Sequence, residues 1–114
     1  MSITYYERGT RMSQVVVHGD TVYLAGQVGS AGADITTQTQ ECLAQVDRLL
    51  HSVGSDKSKL LQVIIWLADM SDFDAMNAVY DAWIDPAAPA VRACGEARLA
   101  TPDYSVEVIA IAAS

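Results

Sequence analysis

Cysteine is nearly missing from this sequence, at 2 of 114 residues, and Cys42 and Cys94 form no CxxC pair. That excludes a framework of disulfide staples and points to a reducing, cytoplasmic setting. Positive charge is scarce too. Seven Lys and Arg against 14 Asp and Glu leave a net charge of −7 and a pI of about 4.4. A surface of that sign repels phosphate, so nucleic acid and anionic membranes are poor partners. The longest apolar runs, 63–68 and 106–113 (with Glu107 inside), fall far short of the roughly 18 residues that cross a bilayer. No cationic apolar leader with a cleavage site opens the chain, so no signal peptide is expected. There are only three prolines, and the short 86–89 stretch is the one Pro/Ala-rich segment. Residues 1–114 therefore read as a single domain.

What is present is a hydrophobic fraction of 51%, enough for a packed core. Residues 2–11 are polar and give no clear period. Residues 13–18 and 21–25 are β-branched runs separated by Gly19-Asp20, a two-residue hairpin signal because the turn needs a positive φ. Residues 26–33 read as a mobile loop. Residues 34–53 predict a helix, with Ile35, Thr39, Cys42, Val46, Leu49, Leu50 and Val53 on one stripe. Asp34 or Thr36 would cap it and Gly54 would end it. Residues 60–67 are too short and too β-branched for a helix and read as a strand buried on both faces. Ser71 and Asp74 resemble a capping box opening a second helix, 72–84, striped by Phe73, Met76, Tyr80 and Trp83. Two further strands are expected at 90–99 and 105–112, joined by a turn at Thr101-Pro102-Asp103. The order β-β-α-β-α-β-β lets two helices cover one face of a sheet and leaves the other face for self-association.

Few residues have the makings of chemistry. Gly26, Gly29 and Gly32 are spaced by three before a helix, yet lack the GxG or Gly-Lys-Ser/Thr of phosphate loops. Gly26 remains a point where a small ligand can approach the backbone. His18 and His51 have no companion at ligand spacing, and the aspartates around the second helix lack the alternation of a metal loop, so no metal and no cofactor is expected. Trp66, Phe73, Tyr80 and Trp83 fall at core positions. Cys42 belongs to a core stripe. Cys94 lies two residues after Arg92 on a predicted strand, hence on the same face, where the guanidinium would favour a thiolate; a small apolar wall is the plainer role.

Arg92 and Glu107 stand out because each is a charge flanked by small or apolar neighbours in a predicted strand. Either they form an internal ion pair or each waits for a ligand. In the second case Arg92 would hold a carboxylate through two parallel hydrogen bonds and Glu107 would act on water beside it. Asn77, an amide on an apolar helix face, is either a third polar contact or a buried amide tied to backbone.

Several stretches converge on one family. Asp20-x-Val22-Tyr23-Leu24-Ala25-Gly26-Gln27-Val28 resembles the "SGQ" strand of the RidA/YjgF family of reactive-intermediate (enamine/imine) deaminases. The run 76–83, in which Asn77 precedes an aromatic, is similar to that family's helix motif. Pro89-Ala90-Val91-Arg92-Ala93-Cys94 with Leu99 and the 106–112 run resembles its closing signature. The likeness covers the chain from about Met12 onward and looks closest to the YoaB-like branch. It implies a chorismate-mutase-like α+β fold, a five- or six-stranded sheet with two helices on one face, assembled as a homotrimer around a central barrel with clefts between subunits. It further implies hydrolysis of 2-enamino and 2-imino acids to 2-keto acids and ammonia without cofactor. Arg92 matches the arginine that holds the substrate carboxylate and Glu107 the glutamate that orients water. Cys94, Asn77 and the Gly26 backbone match pocket contacts. Where many members carry tyrosine and serine, this chain has Met12 and Ala25, which removes polar contacts and keeps open a non-catalytic role in binding 2-keto acids or other small carboxylates. Ribonuclease or translation-inhibitor activity, ascribed to relatives, is opposed by the acidic charge. Chorismate mutase chemistry needs more cations than the chain offers.

Overall fold

The Gly19-Asp20 dipeptide closes a two-residue hairpin in which Gly19 takes φ +60° and Asp20 keeps a negative φ, as a type II′ turn requires. It joins β2 (Ser13–His18) to β3 (Thr21–Leu24). The computed structural model describes all residues, Met1–Ser114. After β3 come α1 (Ile35–Ser52), β4 (Leu60–Leu67), α2 (Phe73–Trp83), β5 (Val91–Glu96) and β6 (Val106–Ala113). A further strand, β1 (Ile3–Arg8), precedes them and pairs antiparallel with β2. The six strands form one sheet in the order β1-β2-β3-β6-β4-β5. Only β4 and β5 run parallel. No helix is long and apolar enough to cross a membrane.

β1 has no sequence period because none of its six residues is buried. Backbone hydrogen bonds to β2, not burial, define it. Its Glu7 pairs with Arg48 of α1 at 2.9 Å, an exposed contact that contributes at most about 1 kcal/mol.

Asp34 caps α1 by accepting from Thr37 N–H at 2.7 Å, a bond that holds its carboxyl below the usual range. Gly54, at φ +80°, follows the helix and donates to the His51 carbonyl at 3.1 Å. The stripe Thr39, Cys42, Val46, Leu49 and Leu50 is buried as the spacing predicts, and Gln38 and Leu43 join it. Gln38 is a fully buried amide with its capacity used: it donates to the carbonyls of Ala33 and Asp103 and accepts from Ser105 N–H. Those bonds fix the crossover from β5 to β6 against α1. The glycine loop is likewise tied down. Gly29 packs against the α1 backbone at Gln38, and Ser30 donates twice to Glu41 at 3.0 and 2.7 Å.

Two expectations need correction. The capping box does not form. Asp69 instead accepts from Ser71 N–H at 2.8 Å in a 3-10 turn, Met70–Asp72, and Asp72 makes no side-chain cap. The strand 60–67 has its predicted limits but is covered on one face only. Leu60, Val63, Ile65 and Leu67 are buried, whereas Leu61 and Trp66 are exposed, so Trp66 is not a core residue.

The molecule measures 42 × 37 × 19 Å, the thin dimension being one sheet plus one helix layer. The core of 18 apolar residues lies between the two layers. On the uncovered face Tyr5, Tyr23, Trp66 and Val91 are exposed and Ile64, Ile109 and Ile111 are half-buried. An apolar sheet face of this extent marks a contact surface.

Candidate functional site

Residues paired across a ladder point to the same face. Val63 and Ile65 of β4 are buried under the helices and pair with Arg92 and Cys94 of β5. Arg92 and Cys94 therefore lie on the helix face, at the edge of the sheet beside α2. There the Arg92 guanidinium donates through Nη1 to Asn77 Oδ1 at 2.7 Å. Its Cζ stands 4.8 Å from the centre of the Tyr80 ring and 5.9 Å from that of Phe73. Asn77 and Tyr80 are three apart on α2, which puts them on one helical face and brings both to the same cation. Burial raises the Tyr80 phenol, and the nearby guanidinium only partly opposes this. The ring stays neutral and offers its π face, worth about 0.5–2 kcal/mol to the cation. Arg92 has no carboxylate partner in the chain; the one ion pair is Arg48 with Glu7. Four of its five N–H groups are left for a ligand. Asn77 is bound to Arg92 rather than to backbone.

Cys94 is half-buried against the core beside Arg92. Burial pushes its thiol up, and the guanidinium pulls it down by less. The thiolate expected from the Arg92 neighbour is thus overruled by desolvation. Cys42, deeper and hydrogen-bonded to the Gln27 carbonyl, is pushed up to about 12. With its folded-state pKa above the ordinary thiol value, Cys94 stays protonated through the neutral range and ionises only at higher pH. Iodoacetamide at pH 7 is expected to label the native protein several-fold more slowly than a free thiol, at Cys94 alone, with the rate still rising above pH 9. Peptide mapping of the labelled protein checks this.

Glu107 lies on the other face. It pairs with Trp66 of β4, which in turn pairs with Gly95 of β5. Its carboxylate rests on Gly26, just past β3. A Cβ added to Gly26 would lie 2.9 Å from Glu107 Cδ, 3.2 Å from Cγ and closer still to Oε2, so no larger residue fits while the carboxylate stays there. Gly26 is held in place from both sides. Gln27 exchanges backbone hydrogen bonds with Val108 at 2.8 and 2.9 Å, and Ala25 N–H donates to the Gln14 carbonyl at 2.9 Å. The Gln27 side chain adds bonds to Gln14 Oε1 and the Ala25 carbonyl. The Glu107 carboxylate makes no hydrogen bond within the chain, its ladder bonds being those of the backbone.

The sequence-predicted residues thus form two groups. Arg92, Asn77 and Cys94 come together beside α2, and Gly26 and Glu107 come together on the open face. One chain does not unite the groups: two strand spacings of about 4.8 Å each and the thickness of the sheet separate them. An internal Arg92–Glu107 pair is excluded by the same geometry. Neither charge lines either of the roomiest hollows, a groove of about 580 Å³ between α1 and α2 and one of about 680 Å³ under the β5–β6 crossover. No three His, Cys, Asp or Glu side chains converge as metal ligands. Sequence reasoning missed three participants: Tyr80 and Phe73 as the aromatic bed of Arg92, and Trp66 as the neighbour of Glu107. The i, i+3 spacing of Asn77 and Tyr80 was the available signal for the first.

Residues 7–114 match the family model described as Endoribonuclease L-PSP. The RutC family protein YoaB of Escherichia coli (strain K12) is 41% identical over 113 residues, covering 99% of both chains. A RutC family protein of Haemophilus influenzae is 40% identical, covering 98% of each. A crystal structure of a YjgF-family protein from Neisseria meningitidis superimposes with a TM-score of 0.97 at 40% identity, covering 100% of this chain and 96% of that one. Fold, length and sequence agree over the whole molecule, and the chain belongs to the RidA/YjgF family, in its YoaB-like branch.

Proposed function

We propose that this chain forms a homotrimer that hydrolyses 2-imino acids, and the 2-enamino acids that tautomerise to them, to 2-keto acids and ammonia at sites shared by two copies. The observation that carries this is the state of Arg92: a guanidinium fixed by Asn77 and Tyr80, with no anion of its own chain. A planar fork held that way is suited to a carboxylate. The Arg92 group and the Glu107 group lie on opposite faces of the sheet, which favours a head-to-tail contact over a two-fold one. Contacts of that kind close into rings rather than two-fold dimers, and a ring also covers the apolar sheet face.

In such a site Arg92 of one copy grips the substrate carboxylate and places C2 against Glu107 of the next. Glu107 accepts a proton from water as the water oxygen bonds to C2 and the C=N electron pair moves to nitrogen. The carbinolamine then loses its C–N bond. For an imine that enters protonated, nitrogen leaves as ammonia with the proton returned from Glu107, the hydroxyl proton passes to the freed carboxylate and on to water or ammonia, and C2 becomes the keto carbon. Imines already hydrolyse in water, so positioning and a general base supply a sufficient rate gain. Cys94, a neutral thiol, serves as a small wall, and Gly26 lets the carboxylate and ligand approach the backbone.

Met12 and Ala25, where many members have tyrosine and serine, favour a second reading, binding of 2-keto acids without turnover. An endoribonuclease, the activity in the family's description, finds no support in a chain of net charge −7. The test is to generate 2-aminoacrylate or 2-iminopropionate in situ and follow its loss. Faster loss than in buffer supports the deaminase. No acceleration, with measurable 2-keto acid binding, assigns the chain to the binding role.

A further inference from the structure

Glu107 and Trp66 face each other across the β6–β4 ladder, where directly opposed Cβ atoms lie about 5 Å apart. They nevertheless lean apart, because each has a glycine on its far side. Glu107 leans over Gly26 toward β3. Trp66 leans over Gly95 toward β5, its Cζ3 and Cε3 lying 3.1 and 3.6 Å from where a Gly95 Cβ would be. The pair of glycines thus opens a notch on the uncovered face, with a carboxylate on one wall and a half-open indole on the other. Trp66 is 37% exposed, with part of its ring open to solvent.

Building on the deaminase reading, we infer that Trp66 is the specificity-determining residue of the reaction and takes the side chain of the 2-imino acid. In a 2-imino acid the carboxylate and the side chain are both bonded to C2. With the carboxylate on Arg92 and C2 beside Glu107, the remaining substituent falls in the notch against the indole. An apolar or aromatic side chain gains contact area there, while a methyl group reaches little of it. Trp66 accordingly selects large apolar imino acids over the smallest. Gly95 is a positioning residue, since a side chain there would push the ring back toward Glu107 and close the notch.

The experiment compares wild type with Trp66→Ala, Trp66→Phe and Gly95→Val on imino acids made in situ from alanine, leucine and phenylalanine. Trp66→Ala is expected to lower kcat/KM at least tenfold for the leucine and phenylalanine derivatives and less than threefold for that of alanine, by the usual worth of a lost apolar contact. Trp66→Phe should restore most of the preference, and Gly95→Val should slow all three. An equal loss on all substrates, or none, overturns the assignment while leaving the deaminase intact. A wild type that accelerates no imine loss sinks the deaminase reading instead. The assignment is then read by calorimetry, as a preference for 4-methyl-2-oxopentanoate over pyruvate that Trp66→Ala abolishes; absence of that preference overturns it.

Discussion

Arg92→Ala is expected to abolish turnover and carboxylate binding while leaving a folded protein. Two parallel hydrogen bonds from a guanidinium to a carboxylate are worth about 1.5–3 kcal/mol each, so their loss weakens 2-keto acid affinity by roughly 10²–10⁴-fold. The cost in stability is smaller. Arg92 lies on an edge strand, half-buried, and gives up one hydrogen bond to Asn77 and its contact with Tyr80. Those are worth about 1–3 kcal/mol together, less what water returns to Asn77. Arg92→Lys should fall between, because an ammonium keeps the charge but not the fork. Calorimetric titration with pyruvate, beside a thermal melt, separates the two effects. If the variant binds pyruvate as well as wild type and merely melts earlier, the arginine is structural and the site lies elsewhere.

How far these features could be read in advance depends on which forces are local. The limits of β4, the Gly19 turn and the Gly54 helix stop follow from β-branching and from φ preferences that act within a few residues. β1 escaped notice because it buries nothing and so lacks the alternation that marks a half-buried strand. The continuous apolar run of β4 cannot say which of its faces is covered, so Trp66 was placed in the core. The capping box lost to Asp69, whose own turn captured the Ser71 N–H first. The insertion of β6 between β3 and β4 is decided by pairing between distant segments. That last point governs the site. Arg92 and Glu107 were each recognisable as a charge in an apolar strand, yet the face each occupies is set by its register against β4, which no local spacing encodes.

The opposite faces of Arg92 and Glu107 yield the most demanding prediction of the proposed trimer, in which the two halves of the chemistry come from different copies. Glu107→Gln keeps the shape of the side chain but removes its basicity. It is expected to slow hydrolysis by about 10²–10⁴-fold, the usual contribution of a general base, while changing 2-keto acid affinity by less than tenfold. Arg92→Ala fails for the other reason. Neither variant alone retains useful activity, yet unfolding them together and refolding the mixture should recover it. A site is whole when it draws Arg92 from a Glu107→Gln chain and Glu107 from an Arg92→Ala chain. In a random one-to-one ring that pairing occurs at about one site in four, so about a quarter of wild-type activity should return. The double variant, refolded with wild type at the same ratio, controls for the quality of refolding. Were the two residues to act within one chain, mixing the single variants would restore nothing, since every chain would still lack one of them.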